Sequence, residues 1–431
     1  MKKTIEKKIL SGLLPGLLAL GILMPVNAWA DAVPVEIRER DGLSYLYRNG
    51  EVFFIKGAGG NHDMELLARS GANSLRTWGR PEADLLDRAQ ELGLTVCLGL
   101  WIEHERHGFD YDDPDAVAAQ IRRHKETIDL FKDHPAVLLW GIGNEVELEY
   151  TNPRVWEVVE AVAAYAREVD PDHPTMTVTA HVDAEVVSEI RKKAPSIDIL
   201  GVNSYGGVGV VARAVREADW EKPYIITEWG VDGSWEVERT SWGAEIEPTS
   251  TEKAMQFAVR YAAVSGSPRC LGSYAFHWGA KQETTPTWFN IFDEKGAATE
   301  SLEVLQYLWT GDYPEARAPR IAGMRINGER ALPGLVLEPG APAVADFIIT
   351  QGWDEELKVH WELMPESTDK RIGGDREDRP ETVMFDTFGK SRTHLEFEVP
   401  QQPGPYRLYL YVYGDGNTVA TANFPFYVSA P

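Results

Sequence analysis

The chain predicts an α/β fold: a (β/α)8 barrel followed by a small C-terminal antiparallel β-sandwich. Three observations predict it. From Phe53 to Trp309, short β-branched and aromatic runs alternate with amphipathic stretches through eight rounds. Strands alternating with helices imply a parallel sheet, and eight such units close into a barrel. Two of the buried-type runs break at a glutamate, in Ala136-Val-Leu-Leu-Trp-Gly-Ile-Gly-Asn-Glu145 and Tyr224-Ile-Ile-Thr-Glu228-Trp-Gly. Beyond Gly311 helical periodicity stops, and Pro314, Pro319, Pro333, Pro339 and Pro342 punctuate strand-like runs.

Residues 1–30 carry Lys2, Lys3, Lys7 and Lys8, an apolar stretch, and Ala28-Trp29-Ala30 before Asp31. That order is an export leader with a small-x-small cleavage site, so the mature protein is expected in the periplasm or outside the cell. Gly12, Pro15, Gly16, Gly21 and Pro25 interrupt the apolar stretch and argue against a permanent membrane anchor. Residues 35–54 read as a hairpin turning at Arg48-Asn49-Gly50 and feeding the first barrel strand. Strands are expected at 53–61, 73–78, 94–101, the run ending at Glu145, 175–181, 197–205, the run ending at Glu228, and 270–278. Helices are expected at 63–70, 81–93, 115–132, 153–169, 184–193, 208–219, 251–265 and 301–309; Pro81 opens the second and Gly93 closes it. The domains are therefore a leader over 1–30, a barrel with its hairpin over 31–313, and an immunoglobulin- or fibronectin-like sandwich over 314–431. Within the sandwich, strands are expected at 343–350, 357–362, 394–399, 406–413 and 420–428, the last two joined by Gly414-Asp415-Gly416-Asn417. Alternation places Tyr409, Tyr411 and Tyr413 on one face, which could dock on the barrel or bind sugar.

The formal charge is −24; loss of residues 1–30 removes four lysines and one glutamate and leaves −27. Such an acidic chain is a poor partner for nucleic acid or an anionic membrane surface. Cys97 and Cys270 lie inside apolar runs and read as free, buried thiols.

Active sites of this fold lie at the C-terminal ends of the barrel strands. Glu145 closes the fourth strand and Glu228 the seventh, so both carboxylates share one mouth. Glycosidic bond cleavage requires such a pair: one carboxyl protonated to serve the leaving oxygen, the other ionised.

Here the sequence resembles the clan of retaining β-glycoside hydrolases whose (β/α)8 barrels carry acid/base and nucleophile on strands four and seven. The nearest likeness is to the catalytic barrel of glycoside hydrolase family 2, over roughly residues 45–310. It rests on Arg48-Asn-Gly-Glu-Val-Phe-Phe-Ile-Lys-Gly57, Ser74-Leu-Arg76-Thr, Gly143-Asn144-Glu145 and Thr227-Glu228-Trp-Gly230. The resemblance implies Glu145 as acid/base, Asn144 holding a sugar 2-hydroxyl, and Glu228 as nucleophile. It also implies Arg76 and Tyr205 as hydrogen-bond partners of Glu228, and Trp278 as the floor under the reacting sugar. Asn203 and His181 point to the same mouth, and Trp78, Trp101, Trp229 and Trp288 fall near strand ends where indoles stack on sugars. Structural alternatives stand beside these: a rim ion pair for Arg76, core packing for Tyr205 and the tryptophans, rim packing for His181 and Asn203. Family 2 enzymes usually carry two β-domains before the barrel, and here almost nothing precedes it. Gly143-Asn-Glu-Val146 is also similar to the β-1,3-glucan-remodelling transglycosylases of the clan.

Gly57-Ala-Gly-Gly60 lacks the third glycine of a dinucleotide loop, and His104-Glu-Arg-His107 is one residue short of a zinc-protease helix motif. No Gly-x-Ser-x-Gly elbow occurs. The expectation is an exported retaining β-glycoside hydrolase acting on a β-linked glucan or related polysaccharide, with no metal or organic cofactor implied. A glucanosyltransferase of the same clan is the alternative, and a non-catalytic carbohydrate-binding protein a third.

Overall fold

In the computed structural model residues 31–352, 358–388 and 394–430 are described; the expected leader lies outside them. Strands β1 (Val35–Arg40), β2 (Leu43–Arg48) and β3 (Glu51–Val52) form a small antiparallel sheet. The turn at Asn49-Gly50 joins β2 to β3, and a further turn at Asp41-Gly42, not foreseen, joins β1 to β2. All four turn residues have φ between 51° and 78°, the left-handed conformation that two-residue hairpin turns demand. This sheet plugs the bottom of the barrel. Val35 and Leu46 share a buried cluster with Ile55, Leu138, Ile225 and Leu271, and Arg48 Nη2 donates to Pro135 O at 2.8 Å.

The barrel is closed by eight parallel strands in chain order: β4 (Ile55–Gly59), β5 (Ser74–Arg76), β6 (Thr95–Leu100), β7 (Val137–Ile142), β8 (Thr175–Thr179), β9 (Ile199–Asn203), β10 (Tyr224–Trp229) and β11 (Cys270–Ala275). Around it run α1 (Met64–Arg69), α2 (Ala83–Glu91), α3 (Pro114–Phe131), α4 (Val155–Val169), α5 (Ala184–Lys193), α6 (Val211–Glu217), α7 (Ser250–Ser265) and α8 (Glu300–Thr310). Their starts are written in the sequence. Asp113 caps α3 ahead of Pro114, Asp183 caps α5, and Thr249 with Glu252 forms a reciprocal capping box on α7. Cys97 and Cys270 are buried and free.

The sandwich consists of β12 (Arg320–Ile326), β13 (Leu335–Leu337), β14 (Pro342–Gln351), β15 (Lys358–Pro365), β16 (Met384–Phe388), β17 (His394–Glu398), β18 (Gly404–Gly414) and β19 (Thr418–Val428). A sheet ordered β12-β14-β17 packs against one ordered β13-β19-β18-β15-β16. Trp361, Leu408, Leu410 and Phe424 meet Ile321, Phe347 and Leu395 between them. Sequence reading missed β12, β13 and β16, and β13 pairs with β19 in parallel, so the sandwich is not purely antiparallel. β13 is only three residues long and β12 is mostly half-exposed, so neither carries a clear alternating signal.

Tyr409 and Tyr411 dock on the barrel, buried with Ala297, Met364 and Val419. Tyr413 Oη donates to Asp293 Oδ2 at 2.8 Å. Polar bonds complete the joint: Arg407, fully buried, pairs with Glu366 at 2.8 Å and donates to Glu245 O at 2.8 Å. Asn423 Nδ2 donates to Glu247 Oε2 at 2.5 Å.

Candidate active site

Two different backbone devices deliver the glutamates. β7 stops at Ile142, so Glu145 stands three residues past the strand on a tight turn. Gly143 has φ 77° and Glu145 itself φ 51°, a conformation a non-glycine residue holds only when its surroundings fix it. The Glu145 N–H donating to Val178 O at 2.8 Å supplies that fixing. Glu228 lies inside β10, where the pairing with β9 slips register between Ile226 and Glu228. Such an irregularity re-aims the side chain that follows it.

A continuous hydrogen-bonded chain links the two. Glu228 Oε1 accepts from Arg76 Nη1 at 2.9 Å and Trp78 Nε1 at 2.8 Å, and Oε2 accepts from Tyr205 Oη at 2.7 Å. Arg76 Nη2 also donates to Asn144 Oδ1 at 2.6 Å. Asn203 Nδ2 donates to Asn144 Oδ1 at 3.2 Å and to Glu145 Oε1 at 2.7 Å. Thr227 Oγ1, donating to Asn203 Oδ1 at 2.8 Å, fixes which end of that amide faces Glu145.

The partners are unequal. Three donors, one of them a guanidinium, meet Glu228, whereas Glu145 receives one neutral amide. Burial, and then the charge of Glu228, raise the Glu145 pKa well above the usual carboxylate range, and the Asn203 bond offsets only part of that. Burial and the same negative neighbour keep the Tyr205 hydroxyl protonated, hence a donor. Burial also pushes the His277 imidazole down to about 3, so it is neutral where it lines the site.

Both glutamates open into a cavity of about 900 Å³. Asn144, Asn203, Tyr205 and His181 line it with them, and Arg76 lies just behind, 2% exposed. Trp229 and Trp278 do not reach it, contrary to expectation. Neighbouring residues of a strand point to opposite faces, so with Glu228 turned inward Trp229 points out to the helices, where it packs on Phe257 and Tyr261. β11 ends at Ala275, three residues before Trp278. Trp278 is fully buried against Phe292, and Phe276 lines the cavity in its place. Trp288 is likewise buried, donating to Asp232 O at 2.9 Å; Trp78 and Trp101 do line the cavity.

Several lining groups were not read from the sequence. Trp78 was expected to stack on sugar, not to bond Glu228, yet it stands two residues after Arg76 and alternation puts both on one side. Trp235 and Glu283 lie on loops after β10 and β11, where periodicity gives no signal. Lys370 to Asp375 belong to the sandwich, on the segment between β15 and β16, and also form cavity wall. Arg106 and His107 hold Asp375 at 3.2 and 2.7 Å, and Glu377 Oε2 accepts from Thr284 N at 2.6 Å. Only docking of the two modules brings that wall into place.

A family model described as "Glycosyl hydrolases family 2, TIM barrel domain" matches residues 55–236. A β-glucuronidase of Paenibacillus borealis is 27% identical over 236 residues, 44% of this chain and 37% of that protein. One from Rattus norvegicus is 25% identical over 219 residues, 43% of this chain and 32% of that protein. A β-galactosidase of Arthrobacter sp. (strain B7) is 33% identical over 97 residues, 20% of this chain and 9% of that protein. The match thus spans about a third of the length of these two β-glucuronidases. Among solved structures, an FMN-binding β-glucuronidase from Facaelibacterium prausnitzii L2-6 superposes with a TM-score of 0.50 at 15% identity, covering 92% of this chain and 59% of that one. That is a likeness of fold.

Proposed function

We propose that this chain, a (β/α)8 barrel of the glycoside hydrolase family 2 type, is a retaining β-glycosidase acting on a β-linked glucan or related polysaccharide. The observation that carries the reading is the unequal pair. Glu228 is held by Arg76, Trp78 and Tyr205, while Glu145 is buried with one donor and a raised proton affinity. In the first step Glu145 gives its proton to the glycosidic oxygen as the bond from that oxygen to the anomeric carbon breaks. A Glu228 oxygen bonds to the opposite face of that carbon. In the second, Glu145, now ionised, takes a proton from water; the water oxygen bonds to the anomeric carbon and Glu228 leaves. Two inversions restore the β configuration. Asn144 Oδ1 is occupied by Arg76 and Asn203, which leaves its Nδ2 to hold a sugar hydroxyl. The basic, apolar and small-residue order of residues 1–30 supports export to the periplasm or the medium.

Azide tests the two roles separately, because it replaces a missing nucleophile on one face and needs no base on the other. With an aryl β-glycoside, Glu228→Ala plus azide is expected to yield an α-glycosyl azide, and Glu145→Ala plus azide a β-glycosyl azide. The reverse pairing, or wild-type turnover in Glu228→Ala, would sink the assignment. Sizing the products from an oligosaccharide distinguishes water from a second sugar as the acceptor.

A further inference from the structure

Trp235 is 60% exposed, yet it lines the cavity that holds Glu145 and Glu228. Its position is built, not incidental. Gly233 makes room for the ring: a Cβ there would stand 2.4 Å from Trp235 Cε2. Glu236 Oε2 accepts from Gly233 N at 2.7 Å and Gly206 N at 2.8 Å, tying the segment to the end of β9. Asp232 is tied to α7 by Arg260 and by Gln256 Nε2. The indole stands edge-on to Tyr205, centroids 5.5 Å apart at 87°, and Tyr205 is a hydrogen-bond donor to Glu228. An exposed indole held beside the reacting carboxylates presents a flat apolar face to water, and the C–H face of a pyranose is the complementary surface.

The charges of the cleft narrow the sugar. Four cationic side chains line it, and each has a carboxylate partner: Lys281 with Glu283 at 2.6 Å, Lys370 and Arg239 both with Glu245, and Arg371 with Asp369 at 2.9 Å. Six acidic side chains line the same cavity. Among the described residues no cation of the lining is without a carboxylate beside it, so a substrate carboxylate would have to compete with those pairs.

We propose that Trp235 is the stacking platform of a second sugar subsite, next to the one at Glu145 and Glu228, and that this subsite takes a neutral β-linked pyranose rather than a uronic acid. The sandwich residues Lys370 to Asp375 supply part of its wall. The proposal rests on the glycosidase reading for its substrate class but can fail on its own.

Glu228→Gln protein, titrated calorimetrically with neutral β-linked trisaccharides of glucose, galactose and mannose, provides the test. At least one trisaccharide is expected to bind, and Trp235→Ala in that background is expected to weaken it about tenfold or more. Trp235→Phe should recover most of the loss, since a phenyl ring keeps an apolar face. The uronic-acid counterpart should bind at least about tenfold more weakly than the neutral sugar. The subsite is overturned if no trisaccharide binds, if Trp235→Ala binds as tightly as its parent, or if Trp235→Phe is as weak as Trp235→Ala. Tighter binding of the uronide overturns the neutral assignment. Absence of turnover by the wild-type chain would instead defeat the glycosidase reading and leave the binding comparison standing.

Discussion

Glu145 and Glu228 have different neighbours, and burial beside a negative charge raises the proton affinity of Glu145, which pH should reveal. In the proposed mechanism Glu145 serves as acid only while protonated, so kcat/KM should hold up to its raised pKa and fall as pH rises through it. In Glu145→Ala, assayed with an aryl glycoside whose leaving group needs no proton, that alkaline limb should vanish. Retention of the limb would assign it to another group. Arg76 makes the opposite kind of contribution. Arg76→Ala leaves Glu228 buried without its cation, and unfolding experiments should show a loss of about 3–5 kcal/mol together with a steep fall in kcat. Glu147 is the second carboxyl of the turn that carries Glu145. Its Oε1 accepts from Ala180 N at 2.6 Å, its Oε2 has no partner among the described residues, and burial pushes its pKa up to about 7. The folded chain therefore keeps a proton that the unfolded chain releases at about pH 4.3. Stability from this group is complete below that value and is lost as pH rises through about 7. Glu147→Gln keeps the bond to Ala180 without the titration. Its Tm should exceed that of the wild type at pH 8 and match it at pH 4.

At the scale of elements, the proposed mechanism depends on the turn after β7 as much as on the residue it presents. Gly143→Ala would place a Cβ at φ 77°, 3.1 Å from Val146 Cγ1. The expected cost is ~1–2 kcal/mol, with a larger proportional loss in kcat than in stability because Glu145 is displaced. A crystal structure of the variant with Glu145 unmoved would refute that link. The elements themselves were largely legible in the sequence, because their signals are local: Pro81 and Gly93 bracketing α2, and the Asn-Gly turn after β2. Glu145, Glu228 and Asn203 were legible because strand ends in a barrel share one mouth, and Tyr205 through the family resemblance. What misled was the assumption that an aromatic near a strand end faces that mouth. Trp229 and Trp278 are decided by side-chain alternation and by where the chain leaves β11, and boundary errors of a few residues suffice to invert both.

The whole molecule is held by a polar and aromatic joint whose groups would be exposed or unpaired if the modules parted. Arg407 alone satisfies Glu366, Asn423 and the Glu245 carbonyl from a fully buried position. Barrel and sandwich should therefore melt in one calorimetric transition, and Arg407→Ala should lower it by the equivalent of about 3–5 kcal/mol. Two separated transitions in the wild type would show that the joint is weaker than its chemistry implies. The alternation of Tyr409, Tyr411 and Tyr413 announced the aromatic half of this joint; no sequence signal announced the polar half, whose partners across it are more than a hundred residues apart and meet only after both modules have formed.

The segment from Lys370 to Asp375 gives that joint a meaning for descent and for engineering. A binding module attached through a linker can be exchanged for another without touching the chemistry next door. Here the appended module furnishes wall of the cavity that holds both glutamates, so grafting a foreign sandwich would reshape what that cavity can admit. Its appetite and its architecture have to be inherited together.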